Sequence, residues 1–257
     1  MGLKRRNLVR VLSALVAALA VAAAAGASAA TIEVLSAGAV EPGLLPAAEA
    51  FRRQTGHEAK IRFATAPALR QRVGGGEAVD MVIAPPAVLD DLAKNGRVDG
   101  AARVVVGKVG VGVAVRDGAP QPDVRTPEAL KRAILGAESV IYNRASTGLY
   151  LEILFQRLGI AQEIAGRSTR YPDGASVMEH LIKGSGREIG FGAITEIVLY
   201  RDKGLKLAGP LPPELQNYTT YAASAVSGSA QGEPARSFAQ FLGSPAGRAI
   251  FAANGIE

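Results

Sequence analysis

The chain has 257 residues, 48% of them hydrophobic and 20% charged, a globular rather than a disordered composition. Aromatic residues make up 5% and Trp is absent, which leaves little from which to build a base-stacking surface for nucleic acid. With no Cys, disulfides, thiolate metal sites, cysteine nucleophiles and lipid-bearing cysteines are all excluded.

The first element reads as an export signal over residues 1–29. Lys4, Arg5, Arg6 and Arg10 form a basic head without an acidic residue, residues 11–25 are apolar, and Ala27-Ser28-Ala29 fits a cleavage site before Ala30. The apolar run is shorter than the about 20 residues that a membrane-spanning helix needs. Arg5-Arg6 matches a twin-arginine signal only faintly. The formal charge of +6 falls to +2 once the four basic residues of the head are set aside, so the basic balance argues for no nucleic-acid partner. An exported chain without a lipid-bearing cysteine needs an outer compartment to retain it, which points to a periplasm.

Strand and helix patterns alternate after the signal. Residues 31–36 predict a buried strand, 44–53 a helix ended by Gly56, and 60–64 a second strand. Residues 67–73 open with Pro in the first turn, a favoured helix start. Residues 80–84 predict a third strand and 88–94 a helix stopped by Asn95-Gly96. Each crossover is long enough for a helix, which predicts parallel pairing. From Arg103 the texture changes to Val and Gly, and residues 104–106 and 109–115 predict a pair of strands suited to crossing between domains. A new series follows: helices over 127–135, 147–158 and 175–183, and strands over 139–142, 189–192 and 204–208. A return strand over 219–226 and helices over 234–241 and 245–253 close the chain.

This order predicts an α/β fold of two lobes, with mixed, mostly parallel sheets joined by two crossover strands. Residues 30–112 and 221–257 would form one lobe and 113–220 the other. Ligands of open α/β sheets sit beyond the carboxyl ends of the strands, so the expected site is an interlobe cleft and the expected motion is a hinge.

Four strand ends carry small polar residues before a helix pattern: Ser36-Ala37-Gly38-Ala39, Thr65-Ala66-Pro67, Ala145-Ser146-Thr147-Gly148 and Asp173-Gly174-Ala175-Ser176. Hydroxyls and free N–H groups at helix starts suit an anion, although each Ser or Thr can instead cap its own helix. The ligand-binding candidates are therefore Ser36, Ala37, Gly38, Thr65, Ala66, Ser146, Thr147, Ala175 and Ser176. Arg70 and Arg144 lie beside these stretches and would grip a carboxylate if they faced the cleft. Catalytic signals are weak. His57 and His180 have no metal-ligand spacing partner, and no nucleophile elbow, Walker loop or zinc-protease helix is present. Gly74-Gly75-Gly76 reads as a loop. No catalytic residue, metal ligand or cofactor is expected.

The chain resembles the periplasmic molybdate-binding proteins of ABC importers, which are type II periplasmic solute-binding proteins. The likeness is carried by Ser36-Ala37-Gly38-Ala39, by residues 63–71 followed by 80–84, by Ile189-Gly190-Phe191-Gly192, by the turn at 203–206, by the strand over 221–226 and by the closing helices before Gly255. The resemblance implies a monomeric receptor that binds a small oxyanion, molybdate or tungstate first, and passes it to a membrane permease. Ser36, Thr65, Thr147 and the Ala175-Ser176 turn carry over to positions of the family's site. Ala66, Pro67 and Phe191 stand where the family has hydroxyl-bearing residues, which leaves room for another small anion such as an organic carboxylate. An exported enzyme on the same scaffold and a sensor subunit are the competing classes.

Overall fold

The computed structural model describes residues 29–257. The export signal, but for its last residue, lies outside the described residues. Residues 31–257 form one compact unit. It is built on β1 (Thr31–Ala37), α1 (Glu41–Thr55), β2 (Glu58–Ala64), α2 (Ala66–Gly74), β3 (Met81–Ala84), α3 (Pro86–Lys94) and β4 (Val104–Arg116). There follow α4 (Pro127–Gly136), β5 (Ser139–Asn143), α5 (Ser146–Arg157), α6 (Ala161–Ile164), β6 (Ser168–Tyr171), α7 (Gly174–Lys183), β7 (Glu188–Ala193) and α8 (Ile194–Leu199). The chain closes with β8 (Leu205–Pro210), β9 (Tyr218–Ala225), α9 (Gly232–Gly243) and α10 (Pro245–Ala253).

The strands lie in the order β2-β1-β3-β9-β4-β7-β5-β6, with β8 against β4. β1 pairs in parallel with β2 and β3, and β5 in parallel with β6 and β7. Every antiparallel pairing involves β4 or β9. These two long strands connect the parallel sets, and the parallel sets carry helix crossovers as the pattern of residue types requires.

The pair of strands expected over 104–106 and 109–115 is a single strand, β4. The register shifts between Val105 and Gly107, and Gly107 absorbs the irregularity at φ 152, where only glycine is at ease. A side chain at position 107 would also collide with Ile256. The first part of β4 pairs with β9 and the second with β7 and β8. Three short elements, α6, β6 and α8, were not anticipated, because each is too brief for a period to register.

The helices begin and end for local reasons. Gly56, at φ 79, supplies the left-handed turn after α1. Thr126 accepts the Ala129 N–H at 3.2 Å to start α4, and Ser244 accepts the Gly247 N–H at 3.1 Å to start α10.

The apolar core divides along the same line as the strands. One cluster joins β1, β3 and β9 to α1, α3, α9 and α10, with the Phe51 and Phe238 rings 4.8 Å apart at its centre. Two others gather residues between Val111 and Leu215. Phe191 is wholly buried in one of these, 5.8 Å from Phe155, so it packs the interior and faces no ligand. Among the described residues no helix is long and apolar enough to cross a membrane.

Candidate functional site

A cavity of about 470 Å³ opens where the carboxyl ends of β1, β2 and β5 meet the helix starts that follow them. Its lining includes Ala37, Gly38, Thr65, Ala66, Ser146, Thr147 and Ala175. These seven of the nine expected residues therefore share one hollow. The other two do not. Ser36 is fully buried within β1 and its hydroxyl donates to the Ala37 carbonyl at 3.1 Å. Ser176 lies one residue too far along α7, and its N–H is taken by the Asp173 carboxylate at 2.8 Å. The four hydroxyls at Ser36, Thr65, Thr147 and Ser176 thus do not converge as a set, because strand and helix periodicity turns two of them away.

Each helix start is shaped differently. Thr65 precedes α2 in an extended conformation and makes no capping bond, so its hydroxyl is not used up locally. At α5 the N-cap position holds Ala145, which has no acceptor of its own. The buried Asn143 carboxamide substitutes, accepting from the Ala145 N–H at 3.0 Å and the Gly148 N–H at 3.1 Å. That leaves the N–H groups of Ser146 and Thr147, two residues that line the hollow, without the intrahelical partner that a helix's first turn cannot supply. Position 148 must be glycine, since a Cβ would run into the Asn143 carbonyl oxygen. At α7 Asp173 is the N-cap, and the first two N–H groups, of Gly174 and Ala175, remain.

The lining also contains ionisable groups outside the nine expected ligand-binding residues: Glu41, Asp173, Glu196, Tyr200, Lys203 and Tyr221. Glu196 stands at the centre of this set. It is the third residue after the N-cap Ala193 of α8, and the Ala193 N–H favours its charged form. This is one half of a capping box, but the usual Ser or Thr partner is Ala193, so the motif leaves no trace in the sequence. Burial pushes the Glu196 carboxyl up to about 7, against the Ala193 N–H, with Asp173 and Glu41 adding to the rise. Burial likewise raises Glu41, opposed by Lys203. The Tyr221 hydroxyl, on β9, is raised by burial and then by the charge of Glu196.

Neither arginine reaches the hollow. Arg70 is 54% exposed and pairs with Asp91 at 3.0 Å, and Arg144 is exposed. The histidines are elsewhere too. His180 sits between the Tyr171 hydroxyl at 2.7 Å and Glu188 at 3.0 Å, and His57 lies beside Phe51. Among the described residues no cluster of His, Asp and Glu is arranged to hold a metal ion.

The chain matches the bacterial extracellular solute-binding protein family over residues 32–257. It is 31% identical over 222 residues to a protein named aconitate isomerase from a Pseudomonas species, an alignment spanning 83% of this chain and 82% of that one. Its fold is similar to that of the Azotobacter vinelandii periplasmic molybdate-binding protein, with a TM-score of 0.73 at 16% identity over 88% of this chain and 98% of that one. It is also similar to the sulfate-binding protein SubI from Mycobacterium tuberculosis, with a TM-score of 0.72 at 17% identity over 88% and 86% of the two chains. At these identities the structural likeness is one of fold, the type II periplasmic binding protein architecture.

Proposed function

Because the chain belongs to the bacterial extracellular solute-binding proteins, we propose that it is a periplasmic receptor which takes a small anion into this cavity and hands it to the membrane permease of an ABC importer. One observation carries the reading: unspent N–H groups at the starts of α5 and α7 and the hydroxyls of Thr65 and Thr147 line a single hollow. Oriented N–H groups at helix starts favour negative charge. Hydrogen bonds to a charged group contribute about 1.5–3 kcal/mol each. Six such donors, fixed in advance, offset the desolvation of a small anion and leave about −8 kcal/mol, a micromolar affinity. In this reading residues 30–112 with 221–257 and residues 113–220 act as lobes that close on the ligand.

Two ligand classes fit the donors. Molybdate or tungstate is held if closure draws both walls on to one tetrahedral anion. A small polycarboxylate spans the walls as they stand, and the volume of about 470 Å³ favours it, being in the range of organic-ligand sites. The relative named aconitate isomerase supports the second class and with it an exported enzyme on this scaffold, for which Glu196 is the group able to move a proton.

A thermal-shift panel of molybdate, tungstate, sulfate, phosphate, citrate and aconitate tests the reading. Stabilisation by tetrahedral oxyanions assigns the first class, and stabilisation by carboxylates alone assigns the second. No response to any anion overturns it. Interconversion of aconitate isomers by the purified protein, followed by proton NMR, makes it an enzyme.

A further inference from the structure

The anion reading leaves one physical difficulty. Three carboxyl groups, Glu41, Asp173 and Glu196, line the same hollow as the anion donors, against a single cation, Lys203. After the larger effect of burial, Asp173 and Glu41 each oppose the ionisation of Glu196. Asp173 is committed to the Ser176 N–H as the cap of α7. Glu41 opens α1 with Lys203 as its countercharge. Glu196 has no cation beside it among the described residues, and its position is the most invasive of the three. A Cβ built on Gly38 would lie 3.2 Å from its Oε1, and one built on Gly174 would overlap its Oε2. The carboxyl therefore fills the gap between the turn after β1 and the start of α7, where a guest held by those N–H groups must come.

Resting on the receptor reading above, we infer that the cavity takes up its anion together with one proton, and that Glu196 carries this proton. Neutral Glu196 removes the repulsion and turns an acceptor into an O–H donor aimed at the guest. Ionised Glu196 competes with the guest for the N–H groups around Gly38 and Gly174. The groups facing it from the surrounding elements are Glu41 on α1, Asp173 at the start of α7, Tyr200 and Lys203 after α8, and Tyr221 on β9. Asp173 and Glu41 oppose its ionisation, and none of the group supplies a cation directly to it. The unliganded carboxyl, pushed up to about 7, is half protonated near neutrality, which makes the exchange accessible at ordinary pH.

Isothermal titration calorimetry between pH 5.5 and 8.5, in buffers of different ionisation enthalpy, tests this with molybdate, sulfate and aconitate as probes. For the probe that binds, the dissociation constant should rise about tenfold per pH unit above pH 7. The heat should vary with the buffer as uptake of up to one proton requires. In Glu196→Gln both dependences should vanish. A flat dissociation constant and buffer-independent heat in the wild-type protein overturn the proton coupling and leave the receptor reading intact. No binding of any probe by either protein at pH 5.5 overturns the receptor reading and the coupling together. The buffer dependence of the wild-type heat decides the matter even if Glu196→Gln does not fold.

Discussion

The Thr195 hydroxyl donates to the carbonyl oxygen of Ala39 at 2.6 Å, tying the start of α8 to the turn after β1 across 156 residues of sequence. Thr195 is 3% exposed, so water cannot replace it. Thr195→Val keeps the shape and leaves the Ala39 carbonyl unpaired. Chemical denaturation should register a loss of about 1–3 kcal/mol. Thr195→Ser should recover most of it. Affinity for the ligand should fall as well in Thr195→Val, since Gly38 is the residue before Ala39.

Asn143 does the work that a side chain at position 145 would do at another helix. Asn143→Ala strands two N–H groups, those of Ala145 and Gly148. A stability loss of about 2 kcal/mol is expected by denaturation. The turn carrying Ser146 and Thr147 should loosen at the same time, so ligand affinity should drop by more than the global stability accounts for. Equal melting behaviour of variant and wild type would refute this role.

Gly174 and Glu196 compete for one space. Gly174→Ala brings a methyl against the carboxyl, which is a side-chain collision and not a backbone one. The variant should fold and should displace the carboxyl into the cavity, weakening anion binding about tenfold or more, as calorimetry would read. In Gly174→Ala/Glu196→Ala the collision is gone and binding should return. Failure of the second substitution to restore affinity would show that Gly174 acts through its backbone instead.

The raised Glu196 carboxyl makes stability depend on pH in a definite direction. Its folded value of about 7 lies above that of an unfolded Glu, so the folded state binds the extra proton between the two. Its contribution is most favourable below the unfolded value and is lost as pH rises through about 7. Glu196→Gln should remove this slope and make the protein more stable than wild type above pH 7, by on the order of 2 kcal/mol. Denaturation midpoints at pH 5, 7 and 8.5 would test it. An unchanged difference between variant and wild type across that range would mean that Glu196 titrates as an ordinary surface carboxyl.

Tyr221 stands on β9 at the cavity wall, only 6% exposed, and its ring belongs to the core. Tyr221→Phe keeps that ring and deletes the hydroxyl. Stability should change little, while affinity for the ligand should fall about tenfold, the value of one hydrogen bond to a charged guest. Equal affinities of Tyr221→Phe and wild type would remove Tyr221 from the site.

The order of strands and helices was legible because long elements repeat their period several times, as α1 and α9 do. The helix starts at Thr65, Ser146 and Asp173 were legible because small polar residues there have few other uses. What escaped depends on direction and distance in space. Ser36 and Ser176 look like Thr65 and Thr147 in sequence, yet alternation along β1 turns the first inward and one further residue of α7 turns the second aside. Glu196 was invisible because α8 spans only Ile194–Leu199 and its cap is Ala193. Its neighbours Glu41 and Asp173 lie far from it in sequence, so only the folded chain collects them. Tyr221 stood in a strand that was expected, but which way its hydroxyl faced was not readable.

Residues 238–257 complete the core that the opening strand begins. Phe238, Leu242, Phe251 and Ile256 pack in the same cluster as Ile32, Leu35 and Leu44, and Glu257 exchanges backbone hydrogen bonds with Lys108. A nascent chain cannot finish burying its opening strand until these residues have been made. Intermediates that lack them should therefore remain loose and threadable, and a stop placed between β9 and α10 should leave a sticky, protease-sensitive product and not a smaller working protein.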